Sequence, residues 1–258
     1  MTDTPPEFLD LDGTAIAVLR QDGTGPGVVW LGGFLSDMRG TKAETLAGWA
    51  ARNGRAFVRH DYSGHGESGG RFADGTISKW LAESLAVFRR FTTGPQILVG
   101  SSMGAWIALR MIEELRKAGE GERIAGLVLL APAPDFTVEL MEPELGETQR
   151  RDLLEKGYFE VPSDYSPEPY VYTRALIEDG RANRVMGGPI DTHCPVHVLQ
   201  GLVDPDVPHT HALKLVSLMP ADDVTLSLIP DGDHRLSRPQ DLDMLTRAVE
   251  AISGQAAG

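Results

Sequence analysis

The sequence predicts an α/β fold, a mostly parallel central sheet flanked by helices, with a small, mainly helical cap inserted before the strand that bears a candidate catalytic acid. Three observations carry that prediction. Short β-branched or aliphatic runs alternate along the 258 residues with stretches of helical period, the signature of strands joined by crossover helices. One such run passes through a glycine-flanked serine turn straight into a helix-compatible segment. One long interval, residues 133–189, breaks the rhythm.

Taken in order, residues 9–19 turn at Asp12-Gly13, a dipeptide suited to a tight hairpin, so the sheet opens antiparallel. Residues 15–19, 28–31, 56–59, 97–99, 127–130, 196–199 and 224–229 read as strands, most of them buried on both faces. Ile77, Trp80, Leu81, Leu85, Phe88 and Phe91 recur at helical spacing, as do Ile107, Met111, Ile112 and Leu115. A last helix starts at Pro239, a favoured first helical residue, and turns Leu242, Leu245, Val249 and Ile252 to one side. Between residues 133 and 189 no strand is predicted; proline and acidic residues are frequent, with helical fragments near 145–156 and 170–179. The expected organisation is a core domain of residues 1–132 and 190–258, with 133–189 as a cap or lid over it.

Composition narrows the function classes. A net charge of −13 repels a polyphosphate backbone, which argues against nucleic-acid partners. One cysteine makes no intrachain disulfide, and no apolar run is long enough for a membrane span or shaped like a leader, so a cytoplasmic address is expected.

The chemistry is read from Gly100-Ser101-Ser102-Met103-Gly104, which follows the run 97–99 and precedes a helix. A nucleophile on such a turn sits in a strained conformation, and small flanking residues are required because strand and helix pass at contact distance. That pattern centres the hydroxyl of Ser102. A serine hydroxyl needs a base to take its proton and a carboxylate to orient the base. Asp204 lies just past the run 196–199, and His234 follows the run 224–229, so both reach the sheet end that carries Ser102. Asp206 is the rival acid, and Asp233 is a local support for the His234 loop. The oxyanion calls for two backbone N–H donors: Met103, after the nucleophile, and Phe34, in the turn Gly32-Gly33-Phe34 after the run 28–31. Phe34, Leu35, Phe136, Tyr158 and Phe159 are the candidate substrate-binding residues; the cap residues Phe136, Leu140, Met141, Tyr158, Phe159, Tyr165, Tyr170 and Tyr172 either line an acyl pocket or form the cap's own small core.

The remaining features read as structural. No histidine pair has metal-ligand spacing with a third ligand, despite His193 with His197 and His209 with His211, so no metal is expected. Cys194 reads as packing. Gly64-His65-Gly66-Glu67-Ser68-Gly69 matches a dinucleotide-binding pattern but does not itself open a helix, and it reads instead as a loop near the site.

The order of Leu31-Gly32-Gly33-Phe34, Asp61-Tyr62-Ser63-Gly64-His65-Gly66-Glu67-Ser68, Gly100-Ser101-Ser102-Met103-Gly104, Asp204 and His234 resembles the α/β-hydrolase superfamily over nearly the whole chain. The segments 33–43, 95–104 and Asp233-His234-Arg235-Leu236 are similar to the abhydrolase domain-containing protein ten family of mitochondrial serine esterases and thioesterases and their bacterial relatives. That resemblance implies cleavage of protein S-acyl thioesters and acyl glucuronides, with Ser102, Asp204 and His234 as the triad. The expected activity is therefore serine ester or thioester hydrolysis through an acyl-enzyme. It needs no cofactor, and its partner is a small-molecule ester or thioester or an acyl-protein. Carbon–carbon bond hydrolysis or perhydrolysis with the same triad is the alternative, and a non-catalytic ligand-binding module the remote one. A monomer or weak homodimer is expected. Residues 133–190 and 191–258 each carry net −6 against −1 for 1–132, which predicts an acidic mouth that slows anionic substrates.

Overall fold

The computed structural model describes residues 4–162 and 169–255. Strands β1 (Glu7–Leu11) and β2 (Thr14–Gln21) form the expected antiparallel hairpin. Asp12 and Gly13 both take positive φ, 52° and 81°, as a two-residue turn between right-twisted strands requires. Beyond them come β3 (Thr24–Leu31), β4 (Arg55–His60), β5 (Gln96–Ser101), β6 (Ile124–Leu130), β9 (Val196–Gly201) and β10 (Val224–Ile229), in an eight-stranded sheet of order β1-β2-β4-β3-β5-β6-β9-β10. Along that order the pairings β4-β3-β5-β6-β9-β10 are parallel, and both pairings of β2 are antiparallel. Each of the seven predicted runs lies within one of these strands.

Helices cover both faces. On one lie α1 (Thr41–Arg52) and the last helix, α8 (Pro239–Gln255), which packs Leu245, Val249 and Ile252 with Trp49, Val128 and Leu199. On the other lie α2 (Ile77–Phe91) and α3 (Met103–Lys117), packing Trp80, Phe88, Trp106 and Met111 with Leu98 and Leu127. Thr76 caps α2 by accepting the Lys79 N–H. Helix α7 (His209–Ser217) contributes Ala212 and Leu215 to the same core.

The elements between β6 and β9 stand outside the large sheet. A π-helical turn (Thr137–Met141) leads through α4 (Glu142–Glu144) to α5 (Glu147–Glu155). Contrary to the expectation of no strand there, β7 (Tyr158–Val161) and β8 (Tyr170–Thr173) pair antiparallel. They are four residues each, too short for an alternation to stand out from sequence. The predicted helix from Tyr170 therefore begins only at Arg174, where Thr173 caps α6 (Arg174–Ala182) by accepting the Leu176 N–H.

Candidate active site

Ser102 occupies the turn between β5 and α3 with φ 53° and ψ −116°, a strained conformation for a non-glycine residue. The flanking glycines make this possible. A Cβ on Gly104 would lie 2.1 Å from Leu31 O, and one on Gly100 would lie 2.5 Å from Gly104 O. Backbone bonds lock the turn: Ser102 N–H donates to Leu130 O at 2.9 Å, and Ser102 O accepts from Ala105 N–H at 3.0 Å.

The ends of β9 and β10 bring the other two groups to this turn. His234 Nε2 lies 3.1 Å from Ser102 Oγ, and His234 Nδ1 lies 2.9 Å from Asp204 Oδ2. The two loops touch, since a Cβ on Gly201 would come within 2.2 Å of Gly232 O. The Asp204 side chain is fully buried, and its Oδ1 accepts the N–H groups of Asp206 (2.9 Å) and Val207 (2.8 Å) while Gln200 Nε2 donates to Oδ2. Asp206, the rival acid, is exposed and helps to hold Asp204 through its own backbone. Asp233 accepts the Leu236 N–H and so shapes the His234 loop. Asp204, Asp206 and His234 place potential ligand atoms within 4.8 Å of one another, but the Asp204 oxygens and His234 Nδ1 are already engaged with each other and with N–H donors.

Gly33 lies against Ser102: a Cβ there would approach Ser101 O to 3.3 Å and Ser102 Cβ to 3.4 Å. In the turn that follows, Leu35 N–H donates to His65 Nε2 and Ser36 N–H to Gly33 O, both at 3.2 Å. No acceptor within the described residues takes the N–H of Phe34. Met103 opens α3, so its N–H has no intrahelical partner.

A cleft of about 680 Å³ opens over Ser102 and His234. Phe34, Leu35, Phe136 and Phe159 line it, together with Leu140, Met141, Tyr170 and Tyr172. Phe34 stacks on Tyr172 (5.3 Å between centroids), which stacks in turn on Phe159 (5.4 Å). Tyr158 is a correction. It is 40% exposed and not among the lining residues, because side chains alternate along β7 and the neighbouring Phe159 takes the inward position. Tyr165 lies outside the described residues.

The lining of the cleft carries less of the net charge than the residue counts suggest. Asp37, Glu144 and Asp206 line the cleft, but so do Lys42 and Arg235. Other acids of the 133–190 interval are spent on ion pairs: Glu139 with Arg184 and Lys214, and Glu142 with Arg181. Lys42 Nζ donates to Arg235 O, and burial lowers its ammonium to about 8.

Four of the other histidines sit in packing or polar contacts. His211 Nε2 meets Pro134 O and His197 Nε2 meets Ser227 Oγ, both at 2.9 Å; His193 pairs with Asp191; buried His60 contacts Ser84 Oγ and is pushed down to about 4. Cys194 is buried, which pushes its thiol up to about 11.

The profile of a family described as "Serine aminopeptidase, S33" matches residues 28–153. The Mus musculus protein named "Palmitoyl-protein thioesterase ABHD10, mitochondrial" is 33% identical over 238 residues, spanning 92% of this chain and 78% of that protein. The chain belongs to the ABHD10 family. Two solved structures agree. The mouse ABHD10 structure is 30% identical with a TM-score of 0.86, covering 96% of this chain and 98% of the other. A protein of Agrobacterium vitis S4 described only as a hydrolase is 55% identical with a TM-score of 0.92, covering 97% and 100%. As an ABHD10 relative the chain has the α/β-hydrolase fold and is a hydrolytic enzyme. Among its described residues, no helix is long and apolar enough to cross a membrane.

Proposed function

We propose that this ABHD10-family enzyme is a serine hydrolase that cleaves carboxylic esters or thioesters through an acyl-enzyme, with Ser102 as nucleophile, His234 as general base and Asp204 as the orienting acid. The observation that carries the reading is the continuous chain of contacts from Ser102 Oγ through His234 to the buried Asp204 carboxylate, at 3.1 and 2.9 Å. In this mechanism His234 Nε2 takes the Ser102 proton as Oγ attacks the carbonyl carbon. Asp204 holds the Nδ1 proton and stabilises the imidazolium. The N–H groups of Phe34 and Met103 receive the developing oxyanion. His234 then returns its proton to the leaving oxygen or sulfur, and a water activated by the same imidazole releases the acid. No cofactor enters these steps.

The segment 133–189 acts as a cap whose inner wall, with Phe34, receives the acyl group. The aromatic lining suits an apolar acyl chain, and the names of the relatives point to acyl-protein thioesters as one substrate class. Cytoplasmic residence is our reading for a chain whose single cysteine is buried and unpaired; the mitochondrial relatives name the alternative. Ser102→Ala, assayed on matched nitrophenyl esters and acyl thioesters, is expected to lose activity on both. Wild-type turnover in that variant, or a wild-type enzyme that cleaves a vinylogous diketone and no ester, contradicts the reading.

A further inference from the structure

The segment Asp61-Tyr62-Ser63-Gly64-His65-Gly66-Glu67-Ser68 supplies no member of the triad, yet its polar atoms converge on the turn after β3. His65 Nε2 accepts the Leu35 N–H at 3.2 Å. Its proton therefore sits on Nδ1, which donates to Ser63 O at 3.2 Å. Ser63 is itself fixed from two sides: its N–H donates to Glu83 Oε2 at 2.9 Å, and its carbonyl accepts from Trp80 Nε1. The imidazole is boxed by the rings of Tyr62, Phe72 and Trp80, at 5.6, 5.1 and 5.3 Å, and burial keeps it neutral, with its pKa lowered to about 4. Asp61 makes a second tie. One carboxylate oxygen accepts the Met38 N–H at 2.6 Å and the other the Glu67 N–H at 2.8 Å.

The glycines either side of His65 now have a physical reason unrelated to a nucleotide. Gly64 has φ +76°, and a Cβ there would lie 2.5 Å from Phe72 Cα; Gly66 has φ +45°, and a Cβ there would lie 2.1 Å from Asp61 Oδ2. They let the loop fold tightly enough to present the imidazole edge to Leu35, a residue that itself holds a positive φ of 58°.

We propose that His65 is a positioning residue for the oxyanion turn: by accepting the Leu35 N–H it holds that turn in the shape that leaves the Phe34 N–H free for the reacting carbonyl. The proposal rests on the reading of Ser102 as nucleophile. His65 touches neither substrate nor triad, and acts only through the backbone of residues 33–35.

The test compares His65→Phe, which fills the aromatic box but offers no acceptor, with His65→Gln, whose Oε1 offers one at similar reach. Each is assayed on a nitrophenyl ester, with Ser102→Ala alongside. His65→Phe is expected to lower kcat about ten- to a hundredfold, a fraction of what deleting a donor costs. KM should stay within about threefold and Tm near wild type, and His65→Gln should recover most of kcat. A His65→Phe enzyme with wild-type kcat, a loss confined to KM, or no rescue by glutamine overturns the proposal. Wild-type turnover in Ser102→Ala instead overturns the nucleophile assignment, so the two failures are distinct. Should the His65 variants not fold, ¹⁵N-histidine spectra of the wild-type protein decide: a His65 Nδ1–H tautomer at neutral pH is expected, and an Nε2–H tautomer excludes the Leu35 bond.

Discussion

On the sheet side of the cleft, backbone atoms approach so closely that residue identity is dictated: a Cβ on Gly100, Gly104 or Gly201 would meet another backbone atom at 2.5, 2.1 or 2.2 Å. In the segment between β6 and β9 the constraint relaxes. Gly187 and Gly188 have nothing within 4 Å of a built Cβ, α5 buries no residue, and Leu154 is 75% exposed. The two ends of that segment are tied down, through Asp135 to the N–H groups of Val185 and Met186, Asp179 to Ser78, and Asn183 O to Trp106. The turn that carries Ser102 thus sits where backbone contact dictates residue identity, while Gly187, Gly188 and the outer face of α5 stand clear of such contact. Phe34 joins the two, its backbone in the turn after β3 beside Ser102 and its ring stacked on Tyr172.

If that contrast is right, the largest effect belongs to the buried acid. Asp204→Asn is expected to cut kcat by roughly 10⁴-fold, through loss of imidazole orientation and charge stabilisation, whereas Asp206→Asn should stay within about threefold of wild type. Equal losses in steady-state assays of the two would erase the distinction. Gly104→Ala is expected next, destabilising the fold by more than about 3 kcal/mol because the obstructing atoms are backbone, while Gly187→Ala should leave Tm unchanged.

Acid provides a third comparison, since the 133–190 interval contains no histidine. His65 is lowered to about 4 by burial, so below about pH 6.5 the unfolded chain binds a proton that the folded chain refuses, and stability falls as pH drops toward 4. Asp61 and Glu83, raised by burial, act with the opposite sign over their own range. A denaturation series on His65→Phe isolates the histidine: its stability should fall less steeply than wild type's, by about 1.4 kcal/mol per pH unit in that window. Parallel curves would contradict the neutral buried imidazole. The smallest effect is expected in the outer wall. Phe159→Ala should raise KM for long acyl chains about tenfold and leave labelling by a fluorophosphonate within about threefold, with Tyr158→Ala neutral in both.

The same contrast explains what was legible in the sequence. The glycine-flanked turn at Ser102 and the placement of Asp204 and His234 after strand runs are local patterns with a steric or topological cause, so they were readable. The orientation of Phe159 against Tyr158 depends on a four-residue pairing, and the fate of Glu139 and Glu142 on partners 39 to 75 residues away. Neither leaves a local mark. His65 did leave one, a histidine between two glycines in the loop after a strand, but its target, Leu35 N–H, is set by tertiary packing alone.

The most direct test is a peptide map after fluorophosphonate treatment. One phosphonyl adduct per chain is predicted, on Ser102 and not on the adjacent Ser101, and absent when His234 is replaced by alanine. An adduct on any other residue, or ester hydrolysis that persists in fully labelled protein, would contradict the account.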